Sequence, residues 1–212
     1  MKNRNILFIV EGSNDEPKFI CRLFDVCNMG SFNTYSYNTN IHVLANHLRI
    51  DYPDFDEDVT DLLAILRSYE SNPDKLKILN KEYTDIFLIF DLDPQDHMIN
   101  FTMIKRILDY YIDSTNQGKL FINYPMMQSY KHFKILPDDN FKNLRINLEQ
   151  CRSYKYMVEE YSKYTNVDVY DYITFVSLAV HHLRKANYIL NGVYSETSME
   201  EYLKMNSSLI YG

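Results

Sequence analysis

The sequence predicts an α/β fold, a mainly parallel sheet flanked by helices, with an appended C-terminal helical region. Three observations carry this. Residues 6–10 (ILFIV) and 84–91 (ending in FLIFD) are short, unbroken apolar runs with β-branched and aromatic members, as strands buried on both faces are. Each is followed by a segment whose apolar residues recur at helical spacing. After Pro137 the strand-like runs cease and every pattern reads helical. We therefore divide the chain into a sheet domain over 1–136 and a helical region over 137–212 expected to pack on it.

The elements follow in order. Strand 6–10 ends at Glu11-Gly12, and SNDEPKFICRLFDVCN continues as a helix through Phe19, Ile20, Leu23, Phe24 and Cys27. Pro17 suits its first turn, and Asp15 and Glu16 suit its positive N-terminal end. Residues 30–50 predict one or two short strands. Residues 55–70 predict a helix with Val59, Leu62, Leu63 and Leu66 on one face. Strand 84–91 comes next, then a helix over 100–114 through Ile104, Ile107, Leu108, Tyr111 and Ile112. Asn116-Gln117-Gly118 turns the chain into a strand over 119–127. In the helical region, segments 139–152, 154–164, 169–191 and 197–206 read as helices. Gly192 suits the C-terminal cap of the third, and Thr197/Glu200 or Ser198/Glu201 a capping box for the last.

Composition narrows the function classes. Hydrophobic residues at 46% and charged residues at 24% describe a globular chain. No apolar run reaches the roughly 18 residues of a membrane span. The N-terminal apolar run has five residues and stops at Glu11, too short for a signal peptide. Cys21, Cys27 and Cys151 show no CxxC spacing, which argues against structural zinc and against a disulfide framework and points to a reducing cytoplasm. The net charge of −7 is unevenly spread. Residues 51–96 hold 13 acidic and 4 basic side chains, and residues 119–185 hold 10 basic and 7 acidic ones. Acidic centres become phosphate-binding surfaces when divalent cations occupy them; a solvated acidic face is the plainer reading of 51–61.

Carboxylates concentrate where two predicted strands end. Glu11 closes the first, and Asp91 and Asp93 close the second in FDLDPQD, with Asp96 beyond. In parallel sheets ligands bind beyond the carboxyl ends of the strands. Hard cations such as Mg²⁺ and Mn²⁺ take oxygen ligands from a few carboxylates. If the strand continued, Asp91 and Asp93 would point the same way, with Leu92 opposite. Asp93-Pro94 equally suits a turn or a helix cap. Gly12 after Glu11 allows close approach of the backbone to a ligand.

Residues 7–15 (LFIVEGSND) and 86–93 (IFLIFDLD) resemble the two signature motifs of the Toprim (topoisomerase–primase) domain, in the family's order. The resemblance covers residues 4–127 and leaves the helical region unexplained. It implies a four-stranded, mainly parallel sheet and Mg²⁺- or Mn²⁺-dependent phosphodiester chemistry. By position Glu11 is the family's catalytic glutamate, moving a proton or ligating metal, and Asp91 and Asp93 are the metal aspartates. Asp15 is a further ligand in nuclease branches, with Glu16 its alternate. The chain lacks room for topoisomerase domains and lacks a primase zinc module. What remains are small nucleases, including RNA-processing ones, and toxic effectors of bacterial anti-phage defence (abortive infection) that work with an ABC-type ATPase. This sequence has no P-loop of its own. The implied partners are DNA or RNA and that ATPase, with room for a homodimer and no membrane. GKLFINYPMMQSYKHF resembles a late strand of the defence type, with Gln128 where an acid is common. Lys131, His132 and Arg152 are candidates to hold substrate phosphates. A catalytically weak Toprim scaffold that binds a partner is the alternative.

Two further features carry bland readings beside sharper ones. His181 and His182 point about 100° apart on a helix, so they do not easily share a metal and read as packing or surface residues. The tyrosines interleaved with basic residues after 150 could stack on nucleic acid, line a protein interface, or reflect a Tyr-rich composition.

Overall fold

The computed structural model describes residues 4–56 and 61–198. The chain forms two compact units. Among the described residues the first comprises 4–17, 29–56, 61–92 and 97–123, and the second 18–28, 93–96 and 124–198.

The first unit is built on a sheet. β1 (Ile6–Val10) is buried along its whole length, with Leu7, Ile9 and Val10 at zero exposure. α1 (Asp15–Cys27) follows, with its first turn in this unit and the rest in the second. β2 (Phe32–Ser36) pairs in parallel with β1 (Ile6 opposite Phe32, Val10 opposite Ser36). β3 (Asp85–Asp91) pairs in parallel with the other edge of β1, Val10 opposite Ile89. β5 (Gly118–Asn123) pairs in parallel with β3, Asp91 opposite Asn123. A two-residue strand, β4 (Ile112–Asp113), closes the edge in antiparallel, giving the order β2-β1-β3-β5-β4. The sheet is thus five-stranded, not four-stranded, and mostly parallel. The extra strand exists because the helix predicted over 100–114 stops early.

That helix, α5, spans Phe101–Tyr110 and is capped by the Asn100 side chain on the Met103 N–H. Ile107 and Leu108 are buried as the periodicity requires, but Ile112 is exposed. Asp113 Oδ1 accepts from the Thr115 N–H at 2.9 Å, which starts a turn in place of another helical turn. Gly118, at φ +107°, completes the hairpin.

Residues 30–50 hold one strand and then a helix, α2 (Ile41–Asp51), where strands alone were predicted. The Asn40 side chain accepts from the Val43 N–H and opens it. Ile41, Leu44, Ala45 and Leu48 then recur at helical spacing and are buried. Of the helix predicted over 55–70, the described part is α3 (Leu62–Tyr69), capped by Asp61 on the Leu63 N–H; residues 57–60, including Val59, lie outside the described residues. α4 (Pro73–Leu79), not foreseen, begins with Pro73 at its N-terminus and Asn72 as cap.

The second unit is helical and aromatic. Its core joins Phe133, Phe141, Val167, Tyr170, Phe175 and Leu178. Phe19 of α1 packs against it, its ring centre 5.3 Å from that of Phe175. A smaller cluster joins Met126, Tyr154 and Val158. The helix predicted over 139–152 is broken: a 3₁₀ turn covers Asp139–Asn143 and α6 only Leu148–Cys151. Asn147 is the cause, since it forms a capping box with Gln150 and starts a new helix. α7 spans Tyr154–Tyr161, and α8 spans Tyr172–Asn191 and ends on Gly192 in the left-handed region at φ +75°. Residues 199–212, which carry most of the helix predicted over 197–206, lie outside the described residues.

Candidate active site

The carboxyl edge of the parallel sheet brings three polar side chains together from adjacent strands. Glu11 follows β1 directly, Asp91 is the last residue of β3, and Asn123 is the last of β5. Glu11 Oε2 accepts the Asp91 N–H at 3.2 Å, and Asn123 Nδ2 donates to Asp91 Oδ1 at 2.9 Å. Asp91 is buried and Glu11 half-buried. The backbone of Glu11 is pinned as well, because its carbonyl accepts the Asn38 N–H at 2.8 Å. A carboxylate held by an amide side chain keeps its orientation without losing its charge.

The space above Gly12 has an occupant. A Cβ at Gly12 would lie 2.8 Å from Glu16 Oε2, so the glycine admits the Glu16 carboxylate at the start of α1. Glu16 is buried, whereas Asp15, the first residue of α1, is half-buried.

Asp93 departs from the extended path. β3 ends at Asp91, and Asp93 takes a left-handed conformation at φ +44°. Its carbonyl accepts the Asp96 N–H at 2.8 Å, closing a turn with Pro94 inside it, and its Oδ1 accepts from Gln95 Nε2 at 3.2 Å. The condition for Asp91 and Asp93 to point alike, a continuing strand, is therefore not met. Among the described residues no group of three or more His, Cys, Asp or Glu side chains is arranged to hold a metal ion. Mg²⁺ commonly takes one or two protein carboxylates and completes its shell with waters and substrate phosphates. Glu11 and Asp91 fit that smaller requirement: both are oxygen donors, on adjacent central strands, at the edge where parallel sheets bind ligands.

The three candidate phosphate contacts lie in the second unit, and two have partners there. Lys131 is buried and forms an ion pair with Glu159. His132 is buried, with Nδ1 at 3.0 Å from the Tyr154 hydroxyl. Burial, reinforced by the Lys185 cation, pushes its pKa down to about 4, so it is neutral at pH 7 and offers no positive charge. Arg152, just after α6, is exposed. His132, Lys134, Met157, Glu160 and Tyr161 line an open cavity of about 410 Å³. His181 and His182 pack against Phe133 and Phe141, and His181 Nε2 accepts the Asp138 N–H at 2.7 Å.

Sequence reasoning passed over Asn123 and His42. Asn123 left a signal: it is a polar residue ending the apolar run LFI just before Tyr124-Pro125. His42 left none, for it reads as one more residue of an ambiguous stretch.

The chain matches no known family model, no curated protein and no solved structure. Among the described residues no helix is long and apolar enough to cross a membrane.

Proposed function

We propose that this chain is a Toprim-type, divalent-metal-dependent nuclease that cleaves phosphodiester bonds in DNA or RNA. In this reading it is a toxic effector of anti-phage defence, controlled by an ABC-type ATPase. The observation that carries the proposal is the Glu11–Asp91 pairing at the carboxyl edge of a mostly parallel sheet, reached in the order that the two sequence motifs require. Asp91 is the principal ligand, and Asn123 holds its orientation. In this reading Glu11 serves as the second oxygen donor or accepts a proton from the attacking water. A bound Mg²⁺ or Mn²⁺ supplies positive charge to the scissile phosphate and acidifies water.

The partner-binding alternative draws on one observation. Lys131 and His132 are engaged within their own unit, which leaves Arg152 as the exposed member of the three basic candidates. The two readings part in one experiment. Supercoiled plasmid, total tRNA and rRNA are incubated with the protein and Mg²⁺ or Mn²⁺, beside Glu11→Ala and Asp91→Ala. The nuclease reading expects cleavage by the wild type and a loss of at least roughly a hundredfold in each variant, as for removal of a principal catalytic group. Cleavage that survives both substitutions sinks it. Inactivity in every condition, with stable co-purification of a partner, favours the binding subunit.

A further inference from the structure

α8 faces two ways. Phe175 and Leu178 turn into the core of its unit. A second apolar line runs along Tyr172, Val176, Ala179, Leu183, Ala186 and Leu190. Its spacing alternates four and three without a break, the seam by which one helix packs along another. Tyr172, Val176 and Ala179 are exposed and the other three are half-buried. Of the sixteen exposed large apolar residues among the described ones, Tyr172 and Val176 lie on this line, and Ile173 and Ile189 lie elsewhere on the same helix. A stripe this long spans about 27 Å at the helical rise per residue.

We infer that this seam is the interface between two copies of the chain, packed antiparallel about a two-fold axis near His181. Two properties of the seam favour a second copy. The first is charge. No Asp, Glu, Lys or Arg occurs from Tyr172 to Leu183. The two cations that follow are occupied, Arg184 by Glu196 and Lys185 by the Leu144 carbonyl. An identical helix therefore brings no like charge onto the seam, and antiparallel packing sets each helix's positive end beside its partner's negative end. The second is size. With the axis at His181, Tyr172 meets Leu190, Val176 meets Ala186 and Ala179 meets Leu183, so each alanine faces a larger side chain. A two-fold axis makes every such contact twice.

The inference stands apart from the proposed nuclease function, and its test needs neither metal nor nucleic acid. The mass of the full chain is measured by light scattering or sedimentation at micromolar concentration, beside Val176→Glu/Leu183→Glu. The expected result is a dimer for the wild type and a monomer for the double variant, its dissociation constant raised at least roughly tenfold, with unchanged helical circular dichroism. Register is read by cysteine cross-linking in a background with Cys21, Cys27 and Cys151 replaced by Ser. Ala179→Cys/Leu183→Cys forms a covalent dimer on oxidation, and Tyr172→Cys/Val176→Cys does not. A monomeric wild type overturns the inference and assigns the seam to another protein or to residues 199–212. A dimer that persists in the glutamate variant, or the reverse cross-linking pattern, overturns it equally.

Discussion

His42 Nε2 donates to the carbonyl oxygen of Leu92 at 2.7 Å. A buried histidine on α2 thus holds the residue that separates Asp91 from Asp93. Because a carbonyl only accepts, this bond places the imidazole proton on Nε2. Both residues are about 1% exposed, so no solvent replaces the bond if it is lost. His42→Leu is expected to lower stability by about 1–3 kcal/mol, the cost of an unsatisfied buried carbonyl. His42→Gln, which retains an N–H donor, loses less. Equilibrium urea unfolding of the two variants checks this, and equal stability of His42→Leu and wild type refutes it.

Asn123 is the neutral neighbour of Asp91. Asn123→Asp replaces the donated hydrogen bond at 2.9 Å with a second carboxylate. The repulsion is expected to lower the melting temperature in chelator and to raise affinity for a divalent cation. Added Mn²⁺ then recovers more stability in the variant than in the wild type, since a ligand that binds only the folded state stabilises it. Thermal melts with and without Mn²⁺ decide the matter. Equal recovery in both proteins argues against a cation at this edge.

The buried histidines of the second unit predict an acid weakness. Burial, with Lys185 adding repulsion, pushes both His132 and His182 down to about 4 from 6.5. Between these values the unfolded chain binds protons that the folded chain excludes. Stability is therefore full above about pH 6.5 and falls as pH drops toward 4, by up to about 1.4 kcal/mol per pH unit for each histidine. His132→Gln is expected to flatten that slope. Denaturant unfolding at a series of pH values measures it, and an unchanged slope removes His132 from the account.

Two glycines with positive φ separate crowding from backbone strain. A Cβ at Gly118 (φ +107°) would approach Leu88 Cδ1 to 3.0 Å, whereas one at Gly192 (φ +75°) meets nothing within 4 Å. Gly192→Ala bears only the left-handed backbone cost of about 1–2 kcal/mol. Gly118→Ala adds overpacking of about 1–3 kcal/mol against β3. Unfolding experiments on the pair should rank Gly118→Ala as the more destabilised.

The sequence by itself determined β1, β3, the start of α1, and the helical character of α8 with its Gly192 cap. Each is set locally, by an unbroken apolar run, a helical period or a capping residue, so neighbours along the chain suffice to specify it. It also placed Glu11 and Asp91 at strand ends, because an apolar run that stops at a carboxylate marks its own boundary. Only the tertiary structure decided what those carboxylates touch. The pairing of β1 with β3 brings Glu11 to the Asp91 N–H across eighty residues, and β5 delivers Asn123 to Asp91. Interactions that the apolar spacing does not reveal decided α2 and β4, the Asn40 side chain capping the one and an antiparallel hairpin with β5 holding the other. The stretch 30–50 has apolar spacing compatible with either element, and Ile112 left the helical pattern for an edge strand on β5. Asp93 is the clearest case. Its sequence allowed a ligand or a turn, and its N–H, donated to the Pro125 carbonyl at 3.0 Å from a left-handed backbone, selected the turn. Local pattern specifies an element when one period dominates, and partners distant in the chain choose when two conformations are nearly equal in energy.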